Sequence, residues 1–186
     1  MSYLMKIVLV GNPGVGKTSY LQYFCPKSFS PHYAATIGAD FCLTYRMIRN
    51  LSIKFQLWDL VPLAKEGTIR SVFYYGALGA IVMFDVTDPE SFAACEFWIE
   101  AIFKHNGKGV IPIILVGNKI DLRVSVGSAD SPNFVSDSQA LEFCDTLSKR
   151  TLEFGFSVQY FPVSAKTGIN VSEVLDRLGN IYLDQI

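Results

Sequence analysis

Eight consecutive residues, Gly11-Asn12-Pro13-Gly14-Val15-Gly16-Lys17-Thr18, carry the spacing G-x-x-x-x-G-K-[S/T]. The glycines let backbone N–H groups curl around phosphate oxygens, and a helix starting at the lysine adds the positive end of its dipole. Lys17 can reach the β- and γ-phosphates of a nucleotide, and the Thr18 hydroxyl can ligate Mg²⁺. Pro13 interrupts the row of donors because it has no N–H, while the donors from Gly14 onward remain. Contacts to the nucleotide are expected from Asn12, Pro13, Gly14, Val15, Gly16, Lys17, Thr18 and Ser19.

A second group, Asn118-Lys119-Ile120-Asp121, follows an apolar run. A carboxylate can accept hydrogen bonds from guanine N1–H and N2–H₂, and adenine offers no such pair of donors, so Asp121 suits a guanine site. Asn118 can tie loops together, and the stem of Lys119 can cover the base. In isolation such residues are ordinary for a turn that ends a strand. Downstream of a phosphate loop they point to a guanine nucleotide.

These groups need elements to hold them. Leu4 to Val10 reads as a buried strand, and a helix is expected from about Lys17 to Cys25, ended by Pro26. Phe41–Ile48 and Leu51–Trp58 read as a hairpin around Arg49-Asn50, with Ile53, Phe55 and Leu57 alternating against Lys54 and Gln56. Gly79–Val86 and Val110–Val116 are continuous apolar runs, as for parallel strands covered on both faces. Glu90–Lys104 reads as a helix behind Asp88-Pro89 as cap and first-turn proline. Ser136–Arg150 reads as another helix, Ser157–Val163 as a last strand and Ile169–Leu183 as a last helix. Alternating strands and helices argue an α/β fold with a mostly parallel sheet.

Composition sets the outer limits. The chain has 186 residues, 50% hydrophobic and 18% charged, with a net charge of −1. That length fits one domain able to bury roughly 70% of its unfolded surface. The charge balance argues against nucleic-acid binding by phosphate neutralisation. The longest apolar run, Ala77–Phe84, is too short to span a bilayer. Cys25, Cys42, Cys95 and Cys144 are widely spaced, and His32 and His105 join no cluster, so a zinc site is not expected. The cysteines read as reduced and mostly buried, in a cytosolic protein. The start shows no signal-peptide pattern, Ser2 excludes N-myristoylation, and no cysteine follows Cys144 to accept a prenyl group, so no lipidation site is expected within this chain.

Over nearly its whole length the sequence resembles the Ras-superfamily small GTPases, the Rab branch above all. The resemblance rests on the phosphate loop, Thr36-Ile37-Gly38, Trp58-Asp59, Asn118-Lys119-Ile120-Asp121 and Ser164-Ala165-Lys166. It implies a P-loop NTPase G domain with a six-stranded, mostly parallel sheet, one antiparallel strand and helices on both faces. It implies a monomeric switch that binds GTP or GDP with Mg²⁺ and meets effector, exchange-factor and activating proteins. The location implied is cytoplasmic, with membrane contact through partners or a tail beyond this chain.

By the same resemblance Phe29 would pack against guanine, and Ser164, Ala165 and Lys166 would present backbone N–H to its O6 atom. Thr36 would ligate Mg²⁺ and touch the γ-phosphate, Asp59 would hold Mg²⁺ through water, and Tyr33 could close over the phosphates. Catalysis would fall to Lys17 and Thr36. Phe41, Trp58 and Phe73, the last in a helix after the second switch, match an aromatic triad that effectors read.

The chain departs from the family in two places. After Trp58-Asp59 the family has Thr-Ala-Gly-Gln, and this chain has Leu60-Val61-Pro62-Leu63. In the family the glycine N–H senses the γ-phosphate and the glutamine orients the attacking water. Pro62 has no N–H, and Leu63 can neither donate nor accept. Even an intact Ras site turns over unaided at only about 10⁻⁴ per second, so hydrolysis is expected to be very slow or to need a partner. A non-hydrolysing GTP-binding scaffold is the alternative. A nucleotide kinase or ATPase sharing the phosphate loop lacks support, since no Arg-rich lid segment is present. The second departure is an extension over about 122–157, placed in Val124–Phe134 and Lys149–Ser157, which reads either as tolerated decoration or as a partner surface.

Overall fold

The computed structural model describes residues 2–25, 39–60, 71–125 and 134–186. Six strands and six helices follow one another along them: β1 (Ser2–Val10), α1 (Lys17–Phe24), β2 (Ala39–Ile48), β3 (Leu51–Leu60), β4 (Gly79–Asp85), α2 (Pro89–Ala93), α3 (Cys95–His105), β5 (Ile113–Asn118), α4 (Asp121–Ser125), α5 (Asp137–Thr151), β6 (Gln159–Pro162) and α6 (Val171–Asp184). The strands form one sheet in the order β2-β3-β1-β4-β5-β6. All pairs are parallel except β2 with β3.

The hydrophobic pattern explains this order. β4 is buried at all seven positions, as a central strand covered on both faces must be. β3 alternates, burying Ile53, Phe55, Leu57 and Asp59 while Ser52, Lys54, Gln56 and Trp58 remain partly exposed. One core lies between the sheet and α1 with α6, around Leu9, Tyr20, Phe55, Leu175 and Leu178. The other joins the opposite face to α2, α3 and α5, around Val82, Phe84, Ile99, Ile102 and Leu147. α6 meets the sheet with Val171, Val174, Leu175 and Leu178, the stripe spacing of an amphipathic helix.

The β2–β3 turn puts both Arg49 (φ 51°) and Asn50 (φ 62°) in the left-handed region. Two such residues match the twist of a two-residue hairpin, and asparagine tolerates the conformation while arginine does not favour it. Arg49 is held there by donating to Asn180 Oδ1 (2.9 Å) and to Asp184 Oδ1 (2.6 Å). Arg46 secures the same hairpin to α6 through a two-point pairing with Asp176 at 2.8 and 2.6 Å.

Several boundaries differ from the sequence reading. β5 starts at Ile113 because Pro112 has no N–H for the ladder, although its carbonyl accepts from Ala80 N–H at 2.9 Å. The helix expected over Glu90–Lys104 bends at Ala94 into α2 and α3. Hydrogen bonds still cross the bend, from Ala94 N–H to Glu90 O and from Trp98 N–H to Ala94 O. Phe73 lies in a one-turn 3₁₀ segment, Ser71–Phe73, rather than a helix. A short α4 occupies the start of the extension, and a 3₁₀ turn, Leu152–Phe154, closes α5 with Gly155 at φ 87°. Residues 126–133 of the extension lie outside the described residues.

The cysteine reading needs correction. Cys95 and Cys144 are buried free thiols, but Cys25 and Cys42 form a disulfide with Cα atoms 6.2 Å apart. Their separation of 17 residues carried no sign of this. The return of β2 past the end of α1 brings them together.

Candidate nucleotide site

The phosphate loop joins β1 to α1, so the loop's N–H groups and the helix start face the same space at the strand ends. Two glycines are required by packing as well as by dihedral angle. A Cβ on Gly11 (φ 144°) would stand 2.1 Å from the Met83 carbonyl oxygen, and one on Gly16 (φ 101°) 2.2 Å from the Asn118 amide nitrogen. Lys17 is only 6% exposed, and its ammonium donates to the carbonyls of Gly11 (2.8 Å) and Asn12 (3.0 Å). Burial pushes its pKa down, and the nearby Asp59 carboxylate opposes that shift. The charge is thus held at the loop on weak carbonyl partners, where a phosphate could take their place.

Thr18 Oγ1 donates to Asp59 Oδ2 at 2.6 Å, and Asp59 is buried at the end of β3. A hydroxyl and a carboxylate side by side next to a phosphate loop are the hard oxygen set that Mg²⁺ takes when most of its remaining ligands are water and phosphate. The donor set fits that ion. Among the described residues no group of three or more His, Cys, Asp or Glu could hold a metal by itself.

Asn118, at the end of β5 and 2% exposed, joins three loops. Its Nδ2 donates to Val15 O in the phosphate loop (2.8 Å), and its Oδ1 accepts from Ala165 N–H in the β6–α6 loop (2.9 Å). Asp121 Oδ1 accepts from Ser164 Oγ at 2.6 Å, and Lys166 Nζ lies 4.0 Å from Asp121 Oδ2. Ser164 gives its own N–H to Ile169 O, and Ala165 gives its N–H to Asn118, so of the three N–H groups expected to meet guanine O6 these two are already committed within the loop region. Lys119 (φ 68°) is fixed by an ion pair with Asp85 at 2.6 Å. Together these residues wall a cavity of about 560 Å³ whose lining includes Gly16, Ser19, Asn118, Lys119, Asp121, Ala165 and Lys166. The cavity opens beside the phosphate loop, and its acceptor and lysine stem suit a flat base with paired donors.

Two contributors carry no motif. Trp98 of α3 donates from Nε1 to Asn12 Oδ1 at 3.0 Å and so orients a phosphate-loop side chain from a different element. Asp85 anchors Lys119. Trp98 reads in the sequence as a core position on a helix, and Asp85 as the end of a strand, so no local pattern marks either one. Phe29, Tyr33, Thr36, Val61, Pro62 and Leu63 lie outside the described residues.

Phe41 and Trp58 face each other in register across β2 and β3, their rings stacked with centroids 5.3 Å apart. Phe41 is 55% exposed, and Trp58 and Phe73 are half-buried against the core. Lys6 Nζ sits 4.7 Å above the Trp58 ring and donates to Tyr75 O at 2.7 Å.

A phosphate-loop turn at the end of β1, a hydroxyl–carboxylate pair beside it and a cavity walled by Asn118 and Asp121 mark an α/β protein with a candidate nucleotide site. Comparison with protein families narrows the class: the Ras family model matches residues 6–183, and the chain belongs to that family of small GTPases. It is similar to the Ras-related protein RabC of Dictyostelium discoideum, 40% identical over 179 residues, covering 94% of this chain and 82% of the relative. It is also similar to the Ras-related proteins Rab-3 of Caenorhabditis elegans (32% identical) and Rab-3D of Mus musculus (34%), each over 184 residues, 99% of this chain and 76% of the relative.

Proposed function

We propose that the chain is a Rab-like switch that binds GTP and GDP with Mg²⁺ and hydrolyses GTP very slowly by itself or only with an assisting partner. The observation that carries the nucleotide half is the bonding of Asn118 to both the phosphate loop and the Ser164–Lys166 loop. That bonding sets the phosphate and base subsites at one fixed spacing.

In this reading Lys17 exchanges its bonds with the Gly11 and Asn12 carbonyls for β- and γ-phosphate oxygens. The N–H groups from Gly14 to Ser19 bind the phosphates, and Asn12 and Pro13 shape the loop. Asp121 accepts from the guanine edge, Lys119 covers one face and Phe29 the other, and the Lys166 backbone N–H meets O6. Thr18 and Thr36 hold Mg²⁺ directly and Asp59 through water, Tyr33 closes over the phosphates, and the ion neutralises phosphate charge when bound. The whole chain, 1–186, works as a single G domain, with 122–157 as an elaborated edge.

Hydrolysis is the weak half. Pro62 and Leu63 stand where the family carries the glycine N–H and the glutamine, so neither water nor γ-phosphate has its usual partner. A non-hydrolysing scaffold held in one shape by GTP is favoured by the same two residues. An activating protein that supplies an arginine with a glutamine would restore the first reading. The chain works as a monomer with effector, exchange-factor and activating partners and without nucleic acid. It is cytoplasmic and reaches membranes through partners or a lipidated tail. Among the described residues no helix is long and apolar enough to cross a membrane.

Competition of GTP and ATP for bound fluorescent GDP tests the base assignment. GTP is expected to compete and ATP not, and Asp121→Asn should narrow the gap by turning one acceptor into a donor. Equal competition by ATP against the wild type would defeat the assignment. Single-turnover hydrolysis with and without a cell extract separates the switch from the scaffold.

A further inference from the structure

Cys25 directly follows α1, the helix whose first residues are Lys17 and Thr18. Cys42 lies in β2, two residues beyond Asp40, the register partner of Asp59 on β3. The disulfide between them therefore ties the element that carries the phosphate-loop lysine to the hairpin that carries the Mg²⁺-side carboxylate. It also closes the chain from 25 to 42 into a covalent ring, and by sequence Phe29, Tyr33 and Thr36 fall within that ring.

The chain has four cysteines, and only this pair is placed for thiol chemistry. Cys95 and Cys144 are buried, and burial pushes both thiols up, that of Cys144 to about 12, so neither supplies a thiolate near neutral pH. Within the pair the surroundings differ. Cys42 is 2% exposed, whereas Cys25 at the helix end is only partly buried. Intracellular disulfides are commonly transient and regulatory rather than structural.

We propose that Cys25 and Cys42 form a reversible thiol–disulfide site for low-molecular-weight disulfides of the glutathione class, and that the bond slows release of bound nucleotide. The second half rests on the nucleotide reading above. In the oxidising direction the Cys25 thiolate attacks one sulfur of glutathione disulfide, the S–S bond of that molecule breaks, and one glutathione leaves and takes up a proton. The Cys42 sulfur, held beside Cys25 at bonding distance, then attacks Cys25 Sγ as its proton passes to the departing second glutathione. The two protein thiols lose two electrons and two protons, and glutathione disulfide gains both. Reduced glutathione in excess runs the same steps backwards, entering at Cys25 because Cys42 is covered. Nucleotide departure is slowed because the ring removes conformations in which α1 and β2 separate, and such open forms gain most from chain entropy.

The test uses the full chain loaded with fluorescent GDP and equilibrated in glutathione buffers from reducing to oxidising. Acid quenching, alkylation and peptide mass analysis are expected to show Cys25 and Cys42 joined, with loss of two hydrogens, in the oxidising buffers and both alkylated in the reducing ones. GDP release should be slower by about tenfold in the oxidised form. Cys25→Ser, Cys25→Ala and Cys42→Ser should release at the reduced rate in every buffer. Free thiols at both positions in the oxidising buffers, or a stable glutathione adduct on Cys25 alone, would overturn the site. A bond that forms without changing the release rate would overturn its role. Failure to retain GDP in any buffer would defeat the nucleotide reading, and the thiol count would still decide the site.

Discussion

Lys17 is a buried ammonium satisfied by two carbonyls of its own loop. Burial favours its neutral form, and the Asp59 carboxylate opposes that shift. Removing it with Lys17→Ala deletes charge-assisted bonds of about 1.5–3 kcal/mol net, so affinity for GDP should fall by about 10- to 100-fold in equilibrium titration. In the proposed function the residues after Asp59 matter in the opposite sense, by the groups they lack. Leu63→Gln alone should leave single-turnover hydrolysis near the wild-type rate, because Pro62 still withholds its N–H. Pro62→Gly with Leu63→Gln should raise it. A wild-type rate already equal to that of ordinary relatives would mean that another group positions the water. Lys17, Thr18 and Asp121 could be picked out in the sequence as candidates because local spacing marks them. The contributions of Trp98 and Asp85 could not, since each acts on a loop from a different element.

At the scale of elements, the β2–β3 hairpin carries the partner reading. Its outward side shows Phe41, Leu43, Tyr45 and Met47, all between 40% and 70% exposed, with Trp58 stacked on Phe41. Exposed apolar groups in a row of this kind mark interaction surfaces. Phe41→Ala and Trp58→Ala should each abolish pull-down of a GTP-dependent partner. Phe41→Ala should shift the unfolding temperature little, because more than half of that side chain is already in water. Trp58→Ala also loses contacts with the core and the Lys6 ammonium, so a small shift is expected. A large loss of stability with intact partner binding would return the aromatics to the core. Strands and helices were readable here because apolar periodicity is local. Their ends were less so: Pro112 delays β5 through a missing donor, and the bend at Ala94 has no breaker residue to announce it.

For the molecule as a whole, Asn118 is the joint between two halves of the cleft. Asn118→Ala would strand the buried Val15 carbonyl at about 1–3 kcal/mol and leave the half-buried Ala165 N–H to water. The unfolding temperature should drop by about 2–4 °C for each kcal/mol lost. Nucleotide affinity should fall further than Asp121→Asn makes it fall, because both subsites lose their spacing. Calorimetric unfolding and GDP titration on the same variant check the two effects. An unchanged unfolding temperature would show that the three loops hold their places by other contacts.

The sequence by itself determined the α/β class, the phosphate-loop pattern and the Asn118–Asp121 pattern, while Pro62 and Leu63 stood out only against the family it resembles. Each of these is a matter of residue type at short spacing, and short-range geometry follows directly from it. The tertiary structure alone decided which distant groups meet. It placed Trp98 on Asn12, Asp85 on Lys119, Ser164 on Asp121 and Cys25 on Cys42. Those partners are separated by 17 to 86 residues, and their meeting depends on strand order and on the return of the chain across the sheet. The cysteines show the difference most plainly. A 17-residue gap says nothing about pairing until the sheet brings β2 back beside the end of α1.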